Sequence, residues 1–172
     1  MVLDWELYKN VVTIDDGNGK IKEIDNSPEY HIWRSLSNIL AGALIAKYDG
    51  STIRFGIGRR DRGSRVSVMM DNGKGKRKQL SPTIYHLSSG ERELLGIFGE
   101  ILRQGDMLQA NVGTDNIMGV VVVDEIDKHL HIRSQKESLP TLLNMFPNTQ
   151  FIVTSHSPFL NLGLAETCNR PC

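Results

Sequence analysis

The sequence predicts an α/β protein built on a parallel sheet, and three observations carry that expectation. Residues 117–123, "IMGVVVV", form an apolar run that suits a strand buried on both faces of a parallel sheet. A second apolar run, "QFIVT", covers residues 150–154. Between them residues 132–146 read as a helix, interrupted or kinked near Pro140. Strand, helix, strand in this order implies a right-handed parallel crossover.

The elements ahead of this unit differ in texture. Residues 5–25 read as a β-hairpin, with "WELYKNVVTI" and "IKEI" flanking the turn cluster "DDGNG". A helix follows. Ser27 can cap it, Pro28 suits its first position, and Glu29 favours the positive helix start. Ile32, Trp33, Leu36, Ile39, Leu40, Ala43 and Leu44 recur at three- and four-residue spacing, which predicts a core-facing helix ending before Gly50. Two strands are expected at 52–58 and 65–70, joined by "RRDRG" and followed by the polar loop "DNGKGKRKQ". Residues 88–103 read as an amphipathic helix with Leu94, Leu95, Phe98, Ile101 and Leu102 on one side. A polar loop is expected over 104–116.

The 172 residues suit one domain with room for a small appendage. The expected division is a hairpin-and-helix region at 1–80, the strand–helix–strand part at 81–162 and a tail at 163–172. Formal net charge is zero, so overall charge selects no partner. Its distribution is uneven: nine Lys/Arg face two Asp between Arg54 and Lys78. Such a stretch can neutralise nucleic-acid phosphates, and it equally suits exposed hairpin edges that carry basic residues against aggregation. Only Phe55 interleaves an aromatic, so base stacking is poorly supported. The two cysteines, Cys168 and Cys172, lie in the final tail and build neither a disulfide framework nor a zinc site. No apolar run is long enough to cross a membrane, and no signal peptide opens the chain. A cytoplasmic protein without membrane partners is the expectation.

Asp124 and Glu125 end the first buried strand, at the sheet edge where open α/β proteins bind ligands. One carboxylate there can hold a magnesium ion through water beside nucleotide phosphates. Its neighbour, pointing elsewhere along the turn, can act as general base on an attacking water. Two carboxylates that merely close a strand look the same. Upstream, Ser88, Ser89 and Gly90 precede a helix whose free N–H groups and dipole favour an anion. The same residues with Glu91 also fit an ordinary serine cap. Downstream, "TSHSPFL" sets His156 at the end of the second buried strand, where an imidazole can donate to a phosphate oxygen.

The three stretches together resemble a known family. "LSSGE" resembles the signature motif of ATP-binding-cassette ATPases, "VVVVDE" their Walker B strand and "TSH" their switch-histidine loop. Transporters and SMC proteins usually place an aspartate at the position of His131. "DEIDKHLH", "MFPNTQFIVTSHSP" and "LSSGER" instead resemble the soluble ATPases of the RecF, OLD and SMC-like group, many of them linked to bacterial DNA repair or phage defence. The resemblance covers about residues 80–162. It implies a partial P-loop NTPase fold, ATP and Mg2+ as ligands, and ATP hydrolysis. Asp124 would serve the magnesium shell, Glu125 would polarise the attacking water, and His156 would contact the γ-phosphate. Ser88, Ser89 and Gly90, with Glu91 beside them, would meet a nucleotide held by a second protomer. The turn from Asp127 through His129 to His131 would be the D-loop along that interface, although Asp127 and Lys128 also read as plain turn residues. The implied partners are a second copy or another ATPase chain in head-to-tail contact, and an effector such as the nuclease domain of OLD-type proteins.

One element of the family is not found. A phosphate-binding loop reads GxxxxGK[ST], and no Gly-Lys pair satisfies it. Gly19-Lys20 has Ile14 where the first glycine belongs and Ile21 after the lysine. Gly73-Lys74 has Val68 and Gly75, and Gly75-Lys76 has Met70 and Arg77. The chain is therefore expected to represent the C-terminal part of a cassette: a split gene, a degenerate copy or a fragment. It is expected to bind ATP poorly by itself, or to serve as a non-catalytic half that lends its signature face to a partner. A sheet without its first strand and helix is expected to show an open edge and an apolar face.

Overall fold

The computed structural model describes residues 28–48, 50–57, 66–71, 77–108 and 113–167. The expected hairpin over 5–25, the linker "RRDRG" and both cysteines lie outside the described residues. Helix α1 spans Pro28–Tyr48 and starts at the proline. Strands β1 (Thr52–Ile57), β2 (Val66–Asp71) and β3 (Arg77–Ser81) form an antiparallel sheet in that order. Strand β3 corrects the expectation of a polar loop through Gln79. "RKQLS" has no strong strand pattern of its own. Pairing with β2, which has unpaired backbone groups to satisfy, makes it a strand.

Helix α2 runs Ser89–Leu108, five residues beyond the expected end. Strand β4 (Gly119–Val123) pairs in parallel with β5 (Thr149–Val153), Gly119 opposite Thr149 and Val123 opposite Val153. The parallel pairing of these two strands is that expected from the sequence. The connecting helix is uneven, with a π-helical turn at Ser134–Ser138 leading into α3 (Leu139–Asn144). Pro140 has no N–H to give the carbonyl of Lys136. Gly163 of helix α4 (Pro158–Thr167) packs directly against that carbonyl, so the irregularity seats α4.

Helix α1 carries two adjacent stripes into two clusters. Ile39 and Ala43 join Leu94, Phe98, Leu102, Leu139, Leu142 and Phe146, while Leu40 and Leu44 join Ile53, Phe55 and Val68 of the antiparallel sheet. Phe98, Phe146 and Phe151 form a ring cluster with centroids 5.7–6.3 Å apart. Ser138, fully buried, donates to the Ala43 carbonyl at 3.2 Å and ties the π-helical turn to α1.

Strand β4 is not buried on both faces. Val121 and Val123 face the helices, whereas Val120 and Val122 are 60% and 74% exposed, as is Ile152 on β5 at 52%. Among the described residues helices cover one face of the parallel pair only. The expected apolar face is thus present. Covering each such side chain is worth about 1.5–3 kcal/mol.

Candidate active site

The C-terminal ends of β4 and β5 meet in two loops. The first, residues 124–131, drops Ile126 and Leu130 into the core and leaves Asp124, Lys128, His129 and His131 exposed. Two of its residues adopt left-handed backbone, Glu125 with φ of 50° and His129 with φ of 61°. Such conformations cost a non-glycine residue on the order of 1–3 kcal/mol and need support from their surroundings. The support comes from the second loop, residues 154–157. Thr154 donates its N–H to the Val123 carbonyl at 3.1 Å and accepts the Ile126 N–H at 3.1 Å. Its hydroxyl accepts the Glu125 N–H at 2.8 Å and donates to Oδ1 of Asp124.

Further along, the His156 N–H donates to Oδ1 of Asp127 at 3.3 Å. The Ser157 hydroxyl donates to Oε1 of Gln135 at 2.6 Å, and Nε2 of Gln135 donates to the Leu130 carbonyl at 3.0 Å. The structure therefore brings Asp124, Glu125, Asp127 and His156 to one end of the parallel pair. The His156 residue is exposed there. Glu125 carries an ion pair to Lys128 at 3.1 Å.

Helix α2 opens beside this turn. Ser88 caps it reciprocally: the Ser88 N–H donates to Oε2 of Glu91 at 2.8 Å, and the Glu91 N–H donates to Oγ of Ser88 at 3.4 Å. As acceptor in the cap, the Ser88 hydroxyl keeps its own proton to donate outward. Gly90 is buried, and a Cβ there would lie 2.6 Å from the His129 carbonyl oxygen and 2.9 Å from Cδ2 of Leu130. The helix start and the 124–131 turn are thus in backbone contact. Glu91, nearly fully buried, also pairs with Lys47 of α1 at 2.5 Å. Burial alone pushes its carboxyl up. Hydrogen bonds from Lys47 and from the Ser88 N–H and hydroxyl, with the Lys47 charge, outweigh burial and hold the carboxyl below its ordinary value.

Three residues at this site were not singled out as functional from the sequence: Thr154, Gln135 and Lys47. Thr154 opens the "TSH" stretch that resembles the switch-histidine loop, where the role fell to His156 alone. Lys128, read as a turn residue, touches the Glu125 carboxylate. In the basic stretch, Arg59, Arg60, Arg62, Arg65, Lys74 and Lys76 lie outside the described residues. Arg54 sits on β1, and Arg77 and Lys78 sit on β3.

Among the described residues no group of three or more His, Cys, Asp or Glu side chains could enclose a metal ion. Asp124, exposed and with Oδ1 engaged by Thr154, suits magnesium, which keeps several waters and takes one or two carboxylates plus phosphate oxygens. No helix among the described residues is long and apolar enough to cross a membrane.

The chain is similar to several known proteins. The chain is 40% identical over 83 residues to the "Retron Ec83 probable ATPase" of Escherichia coli, a match covering 48% of this chain and 15% of that protein. It is 39% identical over 79 residues to the "Retron Vc95 probable ATPase" of Vibrio cholerae serotype O1 biovar El Tor, covering 45% and 15%. Over 48 residues it is 48% identical to "Septu protein PtuA" of Bacillus mycoides (strain KBAB4), covering 28% and 7%. The chain thus spans only 15% of the length of the retron relatives. A solved structure described under "Structural biochemistry of ATP-driven dimerization and DNA stimulated activation of SMC ATPases" superposes with a TM-score of 0.45 at 19% identity, over 76% of this chain and 70% of that one. The family model described as "AAA domain, putative AbiEii toxin, Type IV TA system" matches residues 5–163. The chain belongs to that AAA-domain family.

Proposed function

We propose that this chain is the signature, Walker B and switch-histidine part of an ATPase that hydrolyses ATP in a head-to-tail assembly and drives a phage-defence or DNA-repair effector. The observation that carries this is the joined turn at the ends of β4 and β5, where Asp124, Glu125 and His156 converge on exposed loops. In this reading residues 81–162 carry the chemistry and residues 1–80 form an accessory lobe, while the expected tail from 163 begins inside helix α4, which continues through Thr167.

Each side chain has a role consistent with its position. Asp124 presents its second carboxylate oxygen toward the water shell of a magnesium ion. That ion, when bound, neutralises charge on the phosphates. Glu125 turns away from Asp124 through its left-handed backbone and takes a proton from the attacking water. Before it does so, its carboxylate must leave Lys128. His156 donates to a γ-phosphate oxygen. The Ser88 hydroxyl and the first N–H groups of α2 face an anion brought by a second protomer, with Gly90 keeping the helix start against the turn. Asp127, His129 and His131 line the same interface, so nucleotide on one side is felt at the carboxylates on the other. The cytoplasm is the compartment that supplies ATP.

The test is Mg-ATP turnover by the parent protein that contains this chain, with and without Glu125→Gln. The variant is expected to lose about 100-fold or more in kcat and to trap ATP in an assembled state visible by light scattering. Turnover that survives Glu125→Gln unchanged sinks the assignment. A second reading rests on one observation, that none of the 172 residues forms a GxxxxGK[ST] loop. Under it the chain is a non-catalytic half that supplies its Ser88 face to a partner ATPase. It wins if the parent has no such loop and the chain raises a partner's turnover without turnover of its own. Binding to nucleic acid through Arg54–Lys78 belongs to the same scheme. Loss of filter binding between low and high salt would support it, and undetectable binding at low salt would remove it.

A further inference from the structure

We infer that Thr154 is the positioning residue that holds the two carboxylates of the turn apart and in register. The inference rests on the ATPase reading for its catalytic consequence, and on geometry alone for the clamp. Four hydrogen bonds converge on this one residue. Its backbone brackets the turn, taking the Val123 carbonyl on one side and the Ile126 N–H on the other. Its hydroxyl sits between, accepting from the Glu125 N–H at 2.8 Å and donating to Oδ1 of Asp124.

A hydroxyl is the side chain suited to this place because it accepts and donates at once. As acceptor it satisfies the amide of Glu125, the residue whose φ of 50° needs external support. As donor it occupies one oxygen of Asp124 and so orients the other away from the loop. An Asp-Glu pair in extended backbone would send its side chains to opposite faces of the sheet. The left-handed step at Glu125 breaks that alternation, and Thr154 is the group that stabilises the step. The β4–β5 register delivers it there: Val123 pairs with Val153, so the next residue of each strand faces the other at the sheet edge.

Thr154→Val keeps the shape and removes both hydroxyl bonds, whereas Thr154→Ser keeps the hydroxyl. Two measurements on the full chain and its parent decide the matter. In the chain, amide hydrogen exchange at Glu125 is expected to quicken about tenfold in Thr154→Val, the equivalent of one hydrogen bond, with Thr154→Ser matching wild type. Unchanged exchange at Glu125 overturns the clamp whatever turnover shows. In the parent, Thr154→Val is expected to lower kcat about tenfold or more and to raise the half-saturating Mg2+ severalfold, with the KM for ATP unchanged and activity restored by serine. A general loss of structure would move KM and the melting temperature instead. Wild-type kcat and Mg2+ dependence in Thr154→Val overturn the positioning role. If the wild-type parent shows no turnover above its Glu125→Gln variant, the ATPase reading fails, and the exchange result still stands or falls by itself.

Discussion

Gly90 shows how a single residue can satisfy two demands. From the sequence it is expected to let backbone approach an anion at the helix start. In the structure a Cβ there would lie only 2.6 Å from the carbonyl oxygen of His129, so any larger residue forces the turn or the helix start to shift. Both partners are backbone or anchored side chain, so neither yields easily. Gly90→Ala is therefore expected to cost about 1–3 kcal/mol, measured by urea unfolding. It is also expected to shift the amide resonances of His129 and Leu130 before those of distant β2. Unchanged stability would mean that the turn and the helix start are not in contact. His129 itself sits at φ of 61°, and its left-handed step turns its carbonyl toward α2.

At the scale of elements, the tie between α1 and α2 is electrostatic as well as apolar. Leu94 and Phe98 of α2 pack with Ile39 and Ala43 of α1, and the Lys47–Glu91 pair closes the same seam at the start of α2. Among the described residues, Tyr48 and His86 are the other titratable groups lining the cavity that Lys47 and Glu91 share. The folded Glu91 carboxyl lies below its ordinary value of 4.5, so its contribution to stability is present above that value and is lost as pH falls through the lower folded one. Lys47→Met removes the partner and leaves a buried carboxylate capped only by Ser88. The variant is expected to lose about 1–3 kcal/mol at pH 7. The gap from wild type is expected to narrow as pH falls through the lowered folded value of Glu91, where the carboxyl becomes protonated in both. Urea melts at pH 7 and pH 3 check this, and an equal gap at both would exclude the pair as its source. The π-helical turn belongs to this scale too. Its cause is local, the missing N–H of Pro140, yet its use is tertiary, the seating of Gly163 on the carbonyl of Lys136.

For the whole molecule the exposed face of the parallel pair matters most. Val120, Val122 and Ile152 stand out from a sheet whose other face is packed against Phe98 and Phe146. Their replacement by threonine is conservative for a strand and removes little packing. The double change Val120→Thr and Val122→Thr is expected to reduce concentration-dependent association of the chain in sedimentation, with a melting temperature within a few degrees of wild type. Association unaffected by the change would place the contact elsewhere.

The apolar run before Asp124, the serine cap before α2 and the strand before His156 were legible because each is local: consecutive apolar residues, a cap with its Glu91 partner, a strand ended by polar residues. The sequence by itself determined the α/β order and the parallel pairing of the two apolar runs. Strand β3 and the length of α2 were not legible, since pairing and packing outweigh weak local preference there. Only the tertiary structure decided which groups meet. Thr154 reaches Asp124 across 30 positions of chain because parallel pairing aligns the ends of β4 and β5. The contact of Gly90 with His129 and that of Lys47 with Glu91 have the same origin. Periodicity and capping report the conformation of neighbours along the chain, whereas a hydrogen bond between distant residues exists only once register and packing have brought donor and acceptor within about 3 Å.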